Sequence, residues 1–382
     1  MKKEISSHVK ALILEKGFRI DEHALTGLGT RFKEEHRGYD DSNWGISSDL
    51  IVPSELLLPG DIVVCTHLRP SSPHIVKYGD DGKLHFFENG IDPISIVNYL
   101  PRPKVWANQL ADGSDIKKII NFYGFDTLNI NIYSGCEFWD VGLPCKFCSV
   151  SPTQEKYHEV FVKKDESQIR EAVSKSFKSG DKINFVLTTG GSTVNPNEEF
   201  EAHIRALHII REYAPWNHKI RGNTALMPPI ELKRLAELYE TGMEHPSFNL
   251  EVWGKDRFAD VCPGKQKYRG YDTILEAYRY SVKELYGEGA LWCNFVGGIN
   301  SLEDLKEGFT EMANMGVVPG ANIFHPDRGA IFGRKLKSPP YDYIINLYRH
   351  ASDIYHEKGY KPFFSESSLR NSLANEAYKG WI

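Results

Sequence analysis

The stretch TLNINIYSGCEFWDVGLPCKFCS, residues 127 to 149, decides how the chain is read. Thr127 to Tyr133 are rich in β-branched and apolar side chains, as a buried strand requires. The loop that follows carries Cys136, Cys145 and Cys148 in a C-x8-C-x2-C pattern. Three of the chain's six cysteines thus fall within thirteen residues, while Cys65, Cys262 and Cys293 stand alone. Three clustered thiols directly after a strand need an explanation in chemistry.

Downstream, short β-rich runs alternate with amphipathic helices. Candidate strands are Ile183 to Leu187, Ile220 to Ala225, Ser247 to Val252, Ala290 to Val296 and Ala321 to Phe324. Helical periodicity falls between them, at Ser167 to Ser179, Glu199 to Tyr213, Ile230 to Tyr239, Thr273 to Tyr286 and Ser301 to Met315. The last opens on a Ser301 N-cap with Glu303 and Asp304 in its first turn. With the strand at Thr127, the pattern predicts an α/β fold, a partial or full parallel (β/α) barrel of about six βα units over residues 116–335. In such barrels chemistry sits on the loops after the strands, where the cysteines lie.

Residues 1–115 lack this alternation. Ile5, Val9, Leu12 and Ile13 keep helical spacing, and Leu50-Ile51-Val52, Ile62-Val63-Val64, His74-Ile75-Val76 and Leu84 to Phe87 read as strands, with a hairpin turn at Asp81-Gly82. A small N-terminal α+β domain is expected, followed by a linker opening at Leu100-Pro101-Arg102-Pro103. Residues 336–382 are expected to form a helix/strand extension closing the barrel. No apolar run approaches the ~18–20 residues of a membrane span. The polar start Lys2-Lys3-Glu4 does not read as a secretory leader, so a cytoplasmic location is expected. A net charge of −5, from 46 basic and 51 acidic residues without long blocks, gives no reason to expect nucleic acid or an anionic membrane as partner. A small-molecule substrate is the expectation.

A reduced chain with few cysteines is no disulfide scaffold. A structural zinc site takes four protein ligands, and electron-transfer iron–sulfur clusters are usually held by four cysteines. Three thiols leave one metal position open to a reactant. The bland alternative is a non-catalytic barrel protein with zinc and His158 as fourth ligand.

With these cysteines, and with aromatic Phe147 before the last of them, the chain resembles the radical S-adenosylmethionine (radical SAM) superfamily, closest in motif style to biotin-synthase-like members. The first gap departs from the superfamily's commonest C-x3-C-x2-C spacing. Gly190-Gly191-Ser192 is similar to the Gly-Gly-Glu motif that receives the methionine amino group, with Ser192 in place of the acid. Asn249-Leu250-Glu251 resembles the stretch that reads the ribose hydroxyls, and Phe295-Val296 the apolar strand under the adenine. The resemblance implies a single [4Fe–4S] cluster held by Cys136, Cys145 and Cys148. It also implies S-adenosylmethionine bound by Phe147, Gly190, Gly191, Ser192, Asn249, Glu251, Phe295 and Val296. The implied reaction is reductive cleavage of the sulfonium to a 5′-deoxyadenosyl radical that abstracts hydrogen from a small molecule, fed by an electron donor such as flavodoxin or ferredoxin. Cleavage of another sulfonium bond, or transfer of a group, is the alternative outcome. On the substrate side His325 and Arg221 are the first candidates, then Asn223, Arg328, Ser365, Glu366 and Arg370. The N-terminal domain could cover the barrel mouth, recognise a partner or mediate homodimerisation.

Overall fold

A computed structural model describes residues 2–34, 51–156, 162–327, 329–362 and 367–382. His158, Arg328, Ser365 and Glu366, each a sequence candidate, lie outside the described residues.

Six parallel strands form the centre: β1 Thr127–Asn131, β2 Phe185–Thr189, β3 Ile220–Ala225, β4 Met243–Ser247, β5 Leu291–Gly297 and β6 Val317–Ile323. β1 to β4 lie in order in a five-stranded sheet whose far edge is the antiparallel strand Ile120–Tyr123 beside β1. β5 and β6 pair over their whole length. One parallel bridge, Glu251 to Phe295, joins the two sheets. The architecture is α/β and TIM-like, but the described strands form two sheets meeting at one point, not a closed barrel. The fourth strand also ends earlier than its apolar run suggests. Pro246 lacks an N–H, and β4 is the edge of its sheet. Beyond it Glu251 adopts a positive φ of 68°, so residues 248–252 form an irregular strand-end segment.

Helices between the strands bury their apolar faces. Glu166–Lys178 starts at Asp165, whose side chain accepts from Ser167 N–H; Pro196–Tyr213 starts at Asn195, with proline preset in its first turn. Among the described residues, no helix is long and apolar enough to cross a membrane.

The first hundred residues contain the helix Lys2–Lys16 and two small sheets. In one, Glu55–Leu58 pairs antiparallel with Ile62–Cys65 and Asn98–Tyr99. In the other, Ile75–Tyr78, Leu84–Glu88 and Asp92–Ile96 run antiparallel, with the expected reversal at Asp81-Gly82. Buried charge ties this region to the tail. Lys10 Nζ donates to Glu376 Oε1 and Leu369 O, both at 2.8 Å. Lys33 Nζ lies 2.7 Å from Glu55 Oε2 and donates to Gly124 O at 3.3 Å, while Arg370 donates to the other Glu55 oxygen. The Arg370 guanidinium also lies 3.8 Å from the Tyr123 ring, so its role is structural and not substrate contact.

Burial alone would raise the Glu55 carboxyl, but the Lys33 and Arg370 charges outweigh it and hold the group down at about 2, from an ordinary 4.5. A depressed folded-state value stabilises above the unfolded pKa. That contribution is complete above about pH 4.5 and is lost as pH falls towards about 2. Glu55→Gln, which leaves two buried cations uncompensated, is expected to cost roughly 3–5 kcal/mol in denaturant unfolding. It should also remove this acid-dependent component from the stability profile; a wild-type slope in the variant would refute the assignment.

Candidate functional site

The cysteine loop leaves the C-terminal end of β1 and is locked from two sides. On one side stands the turn after β2. Glu137 N–H donates to Ser192 O at 3.0 Å, Val194 N–H to Glu137 Oε2 at 2.7 Å, and Ser192 N–H to Cys136 Sγ at 3.4 Å. A Cβ on Gly191 would sit 1.6 Å from Gly135 O and 2.6 Å from Cys136 Cα, and one on Gly190 would sit 2.9 Å from Tyr133 N. What needs these glycines here is the main chain of the cysteine loop itself.

On the other side lie the helices Lys255–Val261 and Pro263–Tyr268. Lys146 N–H donates to Val261 O at 2.9 Å and Gly264 N–H to Leu143 O at 3.1 Å. Phe138 stacks on Tyr268, with centroids 5.6 Å apart.

Burial pushes the thiols of Cys136 and Cys148 up to about 12. Cys145 is raised well above the ordinary value, first by the neighbouring Cys262 thiol and then by burial. Three buried or part-buried sulfurs on one loop are a donor set that a metal cluster can take as thiolates. Among the described residues no three His, Cys, Asp or Glu side chains converge on a single metal ion. Cluster ligands need no such convergence, since each cysteine takes its own iron.

Glu199, at 2% exposure, was not singled out in the sequence. It lies in the first turn of the helix Pro196–Tyr213 and folds back on the turn after β2: it accepts from Met227 N–H at 2.8 Å, from Thr193 N–H at 3.3 Å, and from the Ser192 side chain. Burial raises it to about 7 against these hydrogen bonds. A carboxylate therefore stands behind Ser192, the position at which the Gly-Gly motif lacks its acid.

At the end of β4, Asn249 Oδ1 accepts from Asn294 N–H at 3.0 Å, and Glu251 Oε1 pairs with Lys265 Nζ at 2.7 Å. Burial works against the Lys265 charge, but Glu251 and then the Cys145 and Cys262 thiols outweigh it, and the pKa is raised. Phe147 is partly buried against the core. Val296 N–H donates to Glu251 O at 2.7 Å.

Two candidates are placed elsewhere than expected. Phe295 is fully buried with its ring 5.7 Å from Phe309 of the helix Leu302–Asn314, so it faces the helical layer and not the strand-end site. Arg221 is the second residue of β3, exposed, with its guanidinium 5.0 Å from the ring of Phe185, the first residue of β2. It sits where the strands begin, remote from the cysteine loop. Asn223 is buried in the sheet, donating to His245 O at 2.6 Å. His325 follows β6 as expected, and its ring lies 4.0 Å from that of His67, a residue of the N-terminal region that is fully buried. This contact is not legible in the sequence because its two members lie so far apart along the chain.

No family model matches the chain. It is 25% identical over 263 residues to bacteriochlorophyllide c C-7(1)-hydroxylase from Chlorobaculum limnaeum, covering 65% of this chain and 64% of that protein. The match thus spans a little under two thirds of that relative's length. Among solved structures the chain is similar to a radical SAM methyltransferase from Sphaerobacter thermophilus, at 16% identity over 80% of this chain and 82% of that one, with a TM-score of 0.46. It is also similar to coproporphyrinogen III oxidase from Escherichia coli, a radical SAM enzyme, at 15% identity over 62% and 55% of the two chains, with a TM-score of 0.40.

The contact between the Gly190–Ser192 turn and the cysteine loop can be broken with one methyl group. Gly191→Ala is expected to cost about 1–3 kcal/mol, as overpacking does, and to lower the iron retained after anaerobic reconstitution. Thermal unfolding and iron analysis on one preparation check it; wild-type iron with wild-type stability would contradict the contact.

Proposed function

We propose that Cys136, Cys145 and Cys148 hold a [4Fe–4S] cluster and that the chain is a radical SAM enzyme acting on a C–H bond of a small molecule. The observation that carries this is three cysteines on one strand-end loop, held against the Gly190–Ser192 turn by main-chain contact and by Ser192 N–H on Cys136 Sγ. When bound, the cluster and S-adenosylmethionine supply reductive cleavage of the sulfonium and a 5′-deoxyadenosyl radical that takes hydrogen from substrate.

The chain's own residues orient and shield. Ser192 N–H donates to Cys136 Sγ and so disperses charge on that ligand. The Gly190–Ser192 turn, with the Glu199 carboxylate accepting the Ser192 hydroxyl, offers a polar edge for a cationic amino group. Phe147, Asn249, Glu251 and Val296 bound the side on which the nucleoside would lie. Phe295 supports that wall from behind, and Arg221 is left without a part in the site. His325 is the substrate-side candidate, and His67 above it makes the N-terminal region a cover that excludes water. A cytoplasmic one-electron donor of the flavodoxin or ferredoxin type serves the cluster.

The hydroxylase name of the sequence relative supports oxidation at carbon as the reaction class. Group transfer is the second reading, favoured by the name of the methyltransferase neighbour alone.

Anaerobic reconstitution is expected to yield a brown protein with about four irons per chain that releases 5′-deoxyadenosine from S-adenosylmethionine and dithionite. Replacing Cys136, Cys145 and Cys148 together by Ala should abolish both. Consumption of S-adenosylmethionine without 5′-deoxyadenosine would favour the second reading. A colourless protein retaining one zinc would overturn both.

A further inference from the structure

The segment after β6 carries a charge opposite in sign to that of the chain. The sequence as a whole is acidic, at −5, yet no acidic residue falls between Asp327 and Asp342, while Arg334, Lys335 and Lys337 crowd into four positions. All three residues are exposed. The same segment is pressed onto the cysteine loop. Phe332 N–H donates at 2.7 Å to the carbonyl of Lys146, which lies between Cys145 and Cys148, and Ser149 Oγ donates to Asp327 Oδ2 at 2.7 Å. A Cβ on Gly329 would stand 3.1 Å from the Cβ atoms of Ser149 and Pro152. From Phe332 the chain turns through the 3₁₀ helix Phe332–Arg334, with Lys335 N–H on Phe332 O at 2.9 Å, and such a turn rises only ~2 Å per residue. Arg334 and Lys335 therefore start within one turn of the main chain that carries Cys145 and Cys148. Arg69 brings a fourth cation to the segment, its Nη2 donating to Ser338 Oγ at 2.6 Å. The acids beside it are engaged: Asp327 accepts from Ser149 and from Gly329 N–H, and Asp260 takes the Lys146 ammonium at 2.5 Å.

A positive patch on an otherwise acidic protein steers an acidic partner to one place and repels it elsewhere. A small substrate must pass inside to react, and charge on the outer face does little to place it there. A reductant needs only to come near the cysteine loop, and electron-transfer encounters bury so little surface that a few charges can govern them. Resting on the ligand assignment above, we propose that Arg334, Lys335, Lys337 and Arg69 form the docking face for an acidic one-electron carrier protein. The carrier loses one electron and the group held by Cys136, Cys145 and Cys148 gains it; no bond is made and no proton moves.

The test sets a protein reductant against a chemical one. Full-length wild type, the double variant Lys335→Glu with Lys337→Glu, and the control Lys283→Glu are reconstituted anaerobically. The initial rate of 5′-deoxyadenosine release is followed at rising sodium chloride with dithionite, with reduced acidic flavodoxin, or with reduced acidic ferredoxin. Lys283 has its side chain 82% exposed and precedes β5, at the end where the strands begin. With sub-saturating carrier at low salt the double variant is expected to lose about tenfold or more in rate, and wild type to fall towards it as salt screens the attraction. Dithionite-supported rates of all three chains, and the carrier-supported rate of Lys283→Glu, should match wild type. A double variant with the wild-type carrier rate overturns the inference. So does an equal loss in Lys283→Glu, since net charge would then account for it, and so does a parallel loss with dithionite, which would assign the segment to the site itself. A wild type that dithionite reduces and neither carrier does also overturns it. If wild type retains no iron, the ligand assignment fails first; if it is iron-replete and its reduction by the carrier ignores salt, only this inference falls.

Discussion

Everything at the site depends on the close approach of two strand-end loops. Gly191 lies so near Gly135 and Cys136 that a single methyl group would overlap a carbonyl oxygen. Because both partners are main chain, no rotamer change can relieve such an overlap; the loop itself would have to move. This contact aims Ser192 N–H at Cys136 Sγ and brings the Ser192 hydroxyl to Glu199. The helices on the far side complete the clamp through Lys146 and Gly264. Three cysteines spaced over a long, glycine-containing loop are thereby held in place by protein contacts on both sides.

A second constraint operates at the opposite end of the chain. The N-terminal region is fastened to the tail by ion pairs whose members are almost wholly buried, Lys10 with Glu376 and Glu55 with Lys33 and Arg370. Pairs of this kind add little net stability compared with apolar packing, yet they punish any other arrangement, because a separated partner would be a bare buried charge. The consequence for function is positional. With the first strands fixed against residues 367–376, His67 is carried to His325 at the end of β6.

The parts of this arrangement legible in sequence are those written locally. Cysteine spacing, the Gly-Gly turn and the alternation of strands with helices are short-range patterns, and they led to the α/β fold and to the loop on which the site stands. Misreadings arose where the answer depends on direction or on distant partners. Phe295 was taken as facing inward, yet periodicity cannot say which face of a doubly buried strand meets the helices. Arg221, expected on the substrate side, is the second residue of β3 and lies where the strand begins. The apolar run Phe248 to Val252 resembled a strand, while the real one contains His245 and Pro246, which carry no such signal. Glu199 and Cys262 were invisible because their meaning comes only from what folds back on them.

Charge balance links these missed residues. Around the loop lie three thiols that burial or a neighbouring thiol keeps protonated, the Glu251 carboxylate, and one enclosed ammonium, Lys265. Lys265 keeps its charge only because anionic or polarisable groups surround it. Converting the thiols to thiolates would add more negative charge than one lysine can offset in a medium of low dielectric. The same lysine grips Glu251 and the Asn249 carbonyl beyond β4, so the cysteine loop and that strand end share one cation.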